Sequence, residues 1–152
     1  MFRREQSEPG SVASLPTDVI DISTFEQILG MDDSDEDRDF SKGLVYSFFS
    51  QAESTFQEMD ENFENKDILK LSSLGHFLKG SSAALGLTKL KDSCEKIQNL
   101  GTRRDETGMR EEPDMDVSLK KLLQTIRDAK NQFGEAERAL KRFFGDVSSQ
   151  EK

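Results

Sequence analysis

The sequence has few of the side chains from which catalytic and metal sites are commonly built. Cys94 is the one cysteine and His76 the one histidine, so a single chain can form neither an internal disulfide nor an ordinary structural zinc site. Tryptophan is absent and there is one tyrosine against eleven phenylalanines, which predicts buried rings without polar partners. The three prolines all lie outside the periodic segments, which therefore run without interruption.

Basic charge and long apolar runs are lacking as well. The formal net charge is −9 and no basic stripe is visible, so we expect no nucleic-acid partner and no attraction to anionic membranes. No stretch has the length or composition of a signal peptide or a membrane span. We therefore expect a protein of the cytoplasm and the nucleus.

What the sequence does contain is helical periodicity. Apolar residues recur at spacings of three and four over four long segments, which predicts helices at about 40–64, 68–85 and 88–101 and from about 116 onward. A shorter helix is predicted between a capping box at Ser23–Glu26 and Gly30. No segment alternates like a strand and most connections are short. The predicted fold class is therefore all-α, an up-and-down four-helix bundle with a short N-terminal helix.

The two ends of the chain are polar and lack periodicity. We predict a flexible N-terminal tail over residues 1–16, one helical-bundle domain over 17–146 and a flexible C-terminal tail over 147–152. No second apolar stripe is left over once the helices are paired, so we expect a monomer.

An acidic connector runs from Asp32 to Asp39. A calcium loop that began at Asp32 would need glycine at its sixth position and glutamate at its twelfth, whereas the chain has Asp37 and Gly43 there. The carboxylates favour instead the positive N-terminal end of the following helix. No metal site is predicted in this chain.

The one histidine lies in the predicted helix at 68–85, on the side away from the core. At about 100° per residue, one inner face collects six residues: Ile68, Leu71, Leu74, Leu78, Ser82 and Leu85. His76 falls almost opposite them and should point outward. A solvated face usually carries long charged side chains, but the residues predicted around His76 are small: Ser72, Ser73, Gly80 and Ala83.

Two residues beside His76 each admit two interpretations. Glycine inside a helix costs about 1 kcal/mol relative to alanine, so Gly80 allows close approach either by another molecule or by a neighbouring helix. Its place opposite the apolar face favours another molecule. Lys79 is either an ordinary solvated lysine or a cation that neutralises charge beside His76.

The chemistry open to a lone outward histidine is narrow. No acidic residue lies three or four places from His76, no oxyanion hole accompanies the nearby serines, and no glycine-rich phosphate loop is present. Triad hydrolysis and ATP binding are therefore not expected. What remains is nucleophilic attack on phosphorus by a neutral imidazole, with a partner supplying the metal ion. Cys94 is expected to be a small buried hydrophobe.

Several stretches carry a resemblance to a known family. They are His76-Phe-Leu-Lys-Gly-Ser-Ser-Ala-Ala-Leu-Gly-Leu87, then Cys94-Glu-Lys-Ile-Gln-Asn-Leu-Gly101, and before them Met31-Asp-Asp and Asp39-Phe-Ser-Lys-Gly-Leu44. Together they resemble the fungal histidine-containing phosphotransfer (HPt) proteins, the phosphorelay intermediates of osmosensing pathways. The resemblance covers roughly residues 15–101, and the last helix is similar in character only.

The resemblance implies roles for individual residues. His76 would carry the phosphoryl group, Lys79 and Gly80 would assist, and Gln98 would approach His76 from the adjacent helix. A docking patch for receiver domains is expected to draw on Thr24, Ile28, Met31, Leu44, Leu69, Ser73, Phe77 and Ala83. The family often has an apolar residue at the position of Thr24. From the residues alone, Phe77 should be partly exposed, although it could also pack under the short N-terminal helix. Leu69 could equally contact a partner or pack against that helix.

Three hypotheses of function follow. In the first, the chain is a phosphorelay carrier and not an autonomous kinase: it takes a phosphoryl group from the receiver domain of a hybrid sensor histidine kinase and passes it to a response regulator, in osmotic or oxidative stress signalling. It would bind no cofactor, since Mg²⁺ is expected on the partner receiver domain. In the second, the chain is a non-catalytic helical adaptor that binds receiver domains. In the third, it acts through the acidic run at 32–39.

Overall fold

The computed structural model describes residues 11–34 and 36–146 and confirms an all-α fold for them. A 3₁₀ turn at Val12–Ser14 precedes the helices of the described chain: α1 Ile22–Leu29, α2 Asp39–Glu64, α3 Ile68–Ala84, α4 Thr88–Gly101 and α5 Met115–Phe143. These bounds lie within about two residues of those that periodicity predicts. In the loop between α4 and α5, Arg104 and Glu111 form one isolated β-bridge.

The four longer helices form an up-and-down bundle. α3 packs against α2 and α4, and α5 packs against α4 and α2, so each helix lies beside its neighbours in the chain. α2 has 26 residues and α5 has 29, against 14 in α4. Within the described ranges, none of the helices is both long enough and apolar enough to cross a bilayer.

Phenylalanine rings join the two long helices. Phe48, Phe49 and Phe56 of α2 surround Phe133 of α5, with ring centroids 6.1, 6.0 and 5.8 Å from its own. All four rings are buried, as the composition predicts. Because tilted and edge-to-face ring pairs add to the stability that burial provides, this cluster holds α2 and α5 in one arrangement.

The segment before α1 is part of the core. Leu15, Val19 and Ile20 are buried, and the backbone N–H of Asp21 donates to the C=O of Gly86 at 2.7 Å. The prediction of a flexible tail over 1–16 is therefore wrong for its last residues, because Leu15 gains a buried apolar site. The rest of that predicted tail, residues 1–10, and the predicted tail at 147–152 lie outside the described residues.

A carboxylate of the acidic connector caps one of the bundle helices, as the sequence predicts. Asp32 accepts hydrogen bonds from the backbone N–H of Ser41 at 2.8 Å and from its hydroxyl at 2.7 Å. The acidic connector thus contributes a cap to the N-terminus of α2. The capping box predicted at Ser23 is wrong, since α1 begins at Ile22 and Asp21 holds the cap position. The hydrogen bond to Gly86 fixes Asp21 at that point, so the helix starts earlier.

The turn between α3 and α4 is built on a glycine with positive φ. Gly86 has φ +79°, and the N–H of Leu87 donates to the C=O of Ser82 at 2.9 Å, closing a Schellman motif. A Cβ at Gly86 would lie 2.8 Å from the carbonyl oxygen of Asp21. The turn therefore returns the chain as α4 alongside α3 and holds the start of α1 in contact.

Candidate functional site

His76 lies on the outer face of α3. The six residues predicted for the inner face are all buried, the most exposed of them being Leu74 at 8%. His76 and its neighbour Phe77 are exposed, and Lys79 is half-buried. The orientation that periodicity predicts is confirmed, and the imidazole is open to an approaching molecule.

The imidazole and the nearby cation are uncommitted. Across the residues that the structure describes, His76 makes no hydrogen bond or ion pair, and no carboxylate lies within ion-pair distance of Lys79. Nor does any group of three or more His, Cys, Asp and Glu side chains there come close enough to hold a metal ion. A histidine and a lysine without competing partners are free to act on a group that another molecule brings.

Two glycines of α3 have opposite surroundings. A Cβ at Gly80 would meet no atom of a neighbouring described helix within 4 Å, so the interpretation that a helix packs against Gly80 is wrong, and close approach by another molecule remains. A Cβ at Gly75 would lie 2.9 Å from the carbonyl oxygen of Cys94 and 3.0 Å from the backbone N of Gln98. The backbone of α4 therefore runs directly against α3 beside His76.

Ser72 does not belong to the ring of small outer residues predicted around His76. Its side chain is 7% exposed and its Oγ donates to the carbonyl oxygen of Gln98 at 2.8 Å. The close approach of α4 brings the carbonyl oxygen of Gln98 to the inner side of α3. The hydrogen bond to this oxygen turns Ser72 inward, although periodicity places it on the outer face. Ser73, Gly80 and Ala83 are exposed, as predicted.

Gln98 offers an unused acceptor on the helix next to His76. Its backbone touches Gly75, the residue before His76, and its side chain is half-buried. Its Oε1 is buried and has no hydrogen-bond partner in the described ranges. A buried oxygen of this kind costs about 1–3 kcal/mol when no donor reaches it. The predicted approach of Gln98 to His76 stays a prediction.

Cys94 lies in the contact between α3 and α4. It is fully buried, which confirms its expected place as a small hydrophobe. Burial raises the pKa of its thiol from 9.0 to about 12. The thiol is therefore protonated at neutral pH and is not a nucleophile.

An apolar groove opens between the end of α1, the first half of α2 and the end of α3. Its volume is about 340 Å³, and it is lined by Ile28, Met31, Leu44, Ser47, Phe48, Gln51, Ser81, Ala84 and Leu85. Three predicted docking residues, Ile28, Met31 and Leu44, meet here. Met31 is 62% exposed and Leu44 42%, whereas Ile28 lies deep in the groove at 5%.

The other predicted docking residues are more scattered. Phe77 is 47% exposed, one turn before the groove residue Ser81. Thr24 is half-buried and donates to the carboxylate of Asp21 at 2.7 Å. Leu69 is 67% exposed and borders a different depression, near Arg103 and Met115. The structure therefore gathers part of the predicted patch and leaves Leu69 apart from it.

Six groove residues have no place in the predicted patch: Phe48 and Leu85, which are buried, and the small or polar residues Ser47, Gln51, Ser81 and Ala84. The Oγ of Ser81 donates to the Oε1 of Gln51 at 3.3 Å, which joins α3 to α2 across the groove. The sequence signal of the last four is weak, because each is small or polar. Ser47 and Gln51 do follow Leu44 at spacings of three and seven, which places them on one side of α2.

Comparison with known proteins gives a consistent result. The family model described as the Hpt domain matches residues 43–129. The chain is 44% identical over 131 residues to multistep phosphorelay regulator 1 of Schizosaccharomyces pombe, a match that covers 86% of this chain and 44% of that protein. It is 53% identical over 83 residues to the phosphorelay intermediate protein YPD1 of Candida albicans, covering 55% of this chain and 44% of that one. The chain spans about half the length of these curated relatives.

The fold is also similar to that of a solved complex. The match is to the Saccharomyces cerevisiae histidine phosphotransfer signalling protein Ypd1, crystallised with the receiver domain of its downstream response regulator Ssk1. The TM-score is 0.74 at 31% identity, and the match covers 88% of this chain and 99% of that one. At this coverage the similarity includes the whole four-helix bundle.

Proposed function

Because this chain belongs to the Hpt-domain family, we propose that it is a histidine phosphotransfer protein of a multistep phosphorelay. It accepts a phosphoryl group on His76 from the aspartate of a receiver domain, then passes the group to the aspartate of a response regulator. The observation that carries the proposal is the exposed and uncommitted imidazole of His76 beside Lys79, which has no carboxylate partner in the described chain.

The transfer needs little from this chain beyond a nucleophile in the right place. The lone pair of one imidazole nitrogen attacks phosphorus, the new N–P bond forms, and the P–O bond breaks with its electrons returning to the receiver's carboxylate. The other ring nitrogen keeps its proton. The return step to a response regulator reverses the same bonds, and the Mg²⁺ that neutralises charge is expected on the receiver domain in both.

Three neighbours of His76 support this chemistry. Lys79 is one turn away and brings a positive charge to the equatorial phosphoryl oxygens. Gly80 presents no side chain, so the receiver's loops and acyl phosphate come close to the histidine. The buried Oε1 of Gln98 is an acceptor without a donor in the described part of the chain. An imidazole N–H would satisfy it and orient the ring for attack.

The apolar groove is proposed as the seat of the receiver domain. It lies between α1, α2 and α3, and the exposed Phe77, which follows His76, lies one turn before the groove residue Ser81. A modest apolar surface of this kind suits a transient complex, which must form and part at each step. Hybrid kinase and response regulator then take turns on one surface, and the carrier itself acts as a monomer.

The proposal is tested by incubating the protein with a phosphorylated receiver domain and Mg²⁺. Wild type should acquire an acid-labile, base-stable label, and the His76→Gln protein should acquire none while keeping the same helicity. Undiminished labelling of His76→Gln would contradict the assignment. Binding of receiver domains without any label on the wild type would favour the adaptor. We propose osmotic or oxidative stress as the signal, and the cytoplasm and nucleus as the location.

A further inference from the structure

Helix α2 carries a glycine, Gly43, that no described residue outside its own helix turn approaches closely. A Cβ at Gly43 would meet nothing within 4 Å, which is also the case at Gly80. Glycine weakens a helix interior relative to alanine, and within residues 11–34 and 36–146 no close contact requires a glycine at position 43. The choice of glycine at position 43 therefore calls for an explanation outside the chain.

Gly43 and Gly80 stand at matching places on opposite walls of the groove. In each wall, the residues one and four places after the glycine line the groove: Leu44 and Ser47 in α2, Ser81 and Ala84 in α3. At about 100° per residue, Gly43 points about 40° from Ser47, and Gly80 points about 40° from Ala84. Each glycine therefore lies on the rim of the groove, one turn before a residue that lines it.

Two of the side chains near Gly43 are apolar and exposed. Phe40, one turn before it, is 53% exposed, and Leu44, the next residue, is 42% exposed. A helix face meant only for water carries charged side chains and not two large apolar ones around a glycine. This pattern fits a surface that a partner covers, and it extends the groove along α2.

We propose that Gly43 is a contact position for receiver docking, where the missing side chain lets the receiver's backbone approach α2. The inference rests on the proposed function. Its occupant is the receiver domain seated in the groove, in contact with both rims. A side chain at position 43 would hold the receiver away from α2 without touching His76, which lies on α3.

The test compares Gly43→Ala and Gly43→Gln with a matched control, Gly134→Ala. Gly134 lies inside α5, and a Cβ there would meet only the guanidinium of Arg138, a flexible side chain, at 3.3 Å. Both alanine variants should raise the melting temperature by about 2–4 °C, because alanine favours the helix. Only the Gly43 variants should weaken binding to a receiver domain, by about tenfold for alanine and by more for glutamine.

A second readout separates docking from the chemistry of His76. Phosphoramidate donates a phosphoryl group to histidine and needs no docking surface, so its rate of labelling should be the same in wild type and all three variants. Receiver binding by Gly43→Ala and Gly43→Gln at wild-type strength would overturn the inference, as would an equal loss in Gly134→Ala. A wild type that phosphoramidate labels but no receiver does would overturn the proposed function, and this inference with it.

Discussion

The inner and outer faces of α3 use glycine in opposite ways. On the inner side, glycine lets two helices touch: a Cβ at Gly101 would lie 2.5 Å from the carbonyl oxygen of Ile68, and Gly75 is nearly as close to α4. On the outer side, five residues after Gly75, a Cβ at Gly80 would meet nothing. The helix that carries His76 is thus packed tightly against α4 on one side, while the described residues leave open space at Gly80 on the other.

The largest effect is expected from closing the inner contact. Gly101→Ala would force a methyl group into the carbonyl oxygen of Ile68 and the backbone N of Ser72, which cannot move aside without shifting α3. We expect a loss of about 3 kcal/mol in the free energy of unfolding, measured by urea denaturation. Unchanged stability would mean that the two helices are not held as tightly as the comparison requires.

The next effect concerns the cation on the outer face. Lys79→Ala should slow phosphoryl transfer from a receiver by ten- to a hundredfold, equivalent to about 1–3 kcal/mol, because the charge on the phosphoryl oxygens loses its partner. Lys70→Ala, an exposed lysine of the same helix, is the control and should transfer at the wild-type rate. Equal rates of phosphoryl transfer in the Lys79→Ala and Lys70→Ala proteins would mean that Lys79 is an ordinary solvated lysine.

A pH titration probes the inner contact through Cys94. Burial raises its pKa from 9.0 to about 12, so the folded state favours the thiol. The resulting stability is complete below about pH 9 and is lost as the pH rises toward 12, with about 1 kcal/mol gone at pH 10. Cys94→Ala should therefore show a shallower fall in unfolding free energy between pH 9 and 11 than wild type. Parallel slopes would contradict the burial of the thiol.

The smallest change in stability is expected on the outer face and has the opposite sign. Gly80→Ala should raise the free energy of unfolding by about 0.5–1 kcal/mol, since alanine is the better helix former and meets no neighbour. The same variant should transfer more slowly with receivers. A variant that lost stability would break the comparison, because Gly80 would then be serving the fold.

Periodicity predicted the helices because their side chains are sorted by burial, one helix at a time. The inner face of α3 and the outward direction of His76 follow from that local rule. The prediction failed where distant backbone decided the outcome. Ser72 turned inward toward Gln98, 26 residues later, and α1 began early because Asp21 is bound to Gly86.

The groove was predictable only in part for the same reason. Met31 and Leu44 could be named only because the segments that contain them resemble those of the HPt proteins. Gln51 and Ser81 could not be named, because the hydrogen bond that joins them across the groove forms only after α2 and α3 pack. Gly43 also gave no sign, because an empty space around a glycine exists only in three dimensions.

The bareness of the His76 face also bears on how long a phosphorylated carrier would last. The exposed surface around His76 does not exclude water, so a phosphohistidine would contact water as soon as the receiver dissociated. A base placed to activate that water would accelerate hydrolysis of the N–P bond. Among the described residues no carboxylate or other acceptor is bonded to His76 or paired with Lys79. The lifetime of the phosphoryl group between partners would then be set by the stability of the N–P bond in water, because the described residues place no bonded carboxylate beside His76.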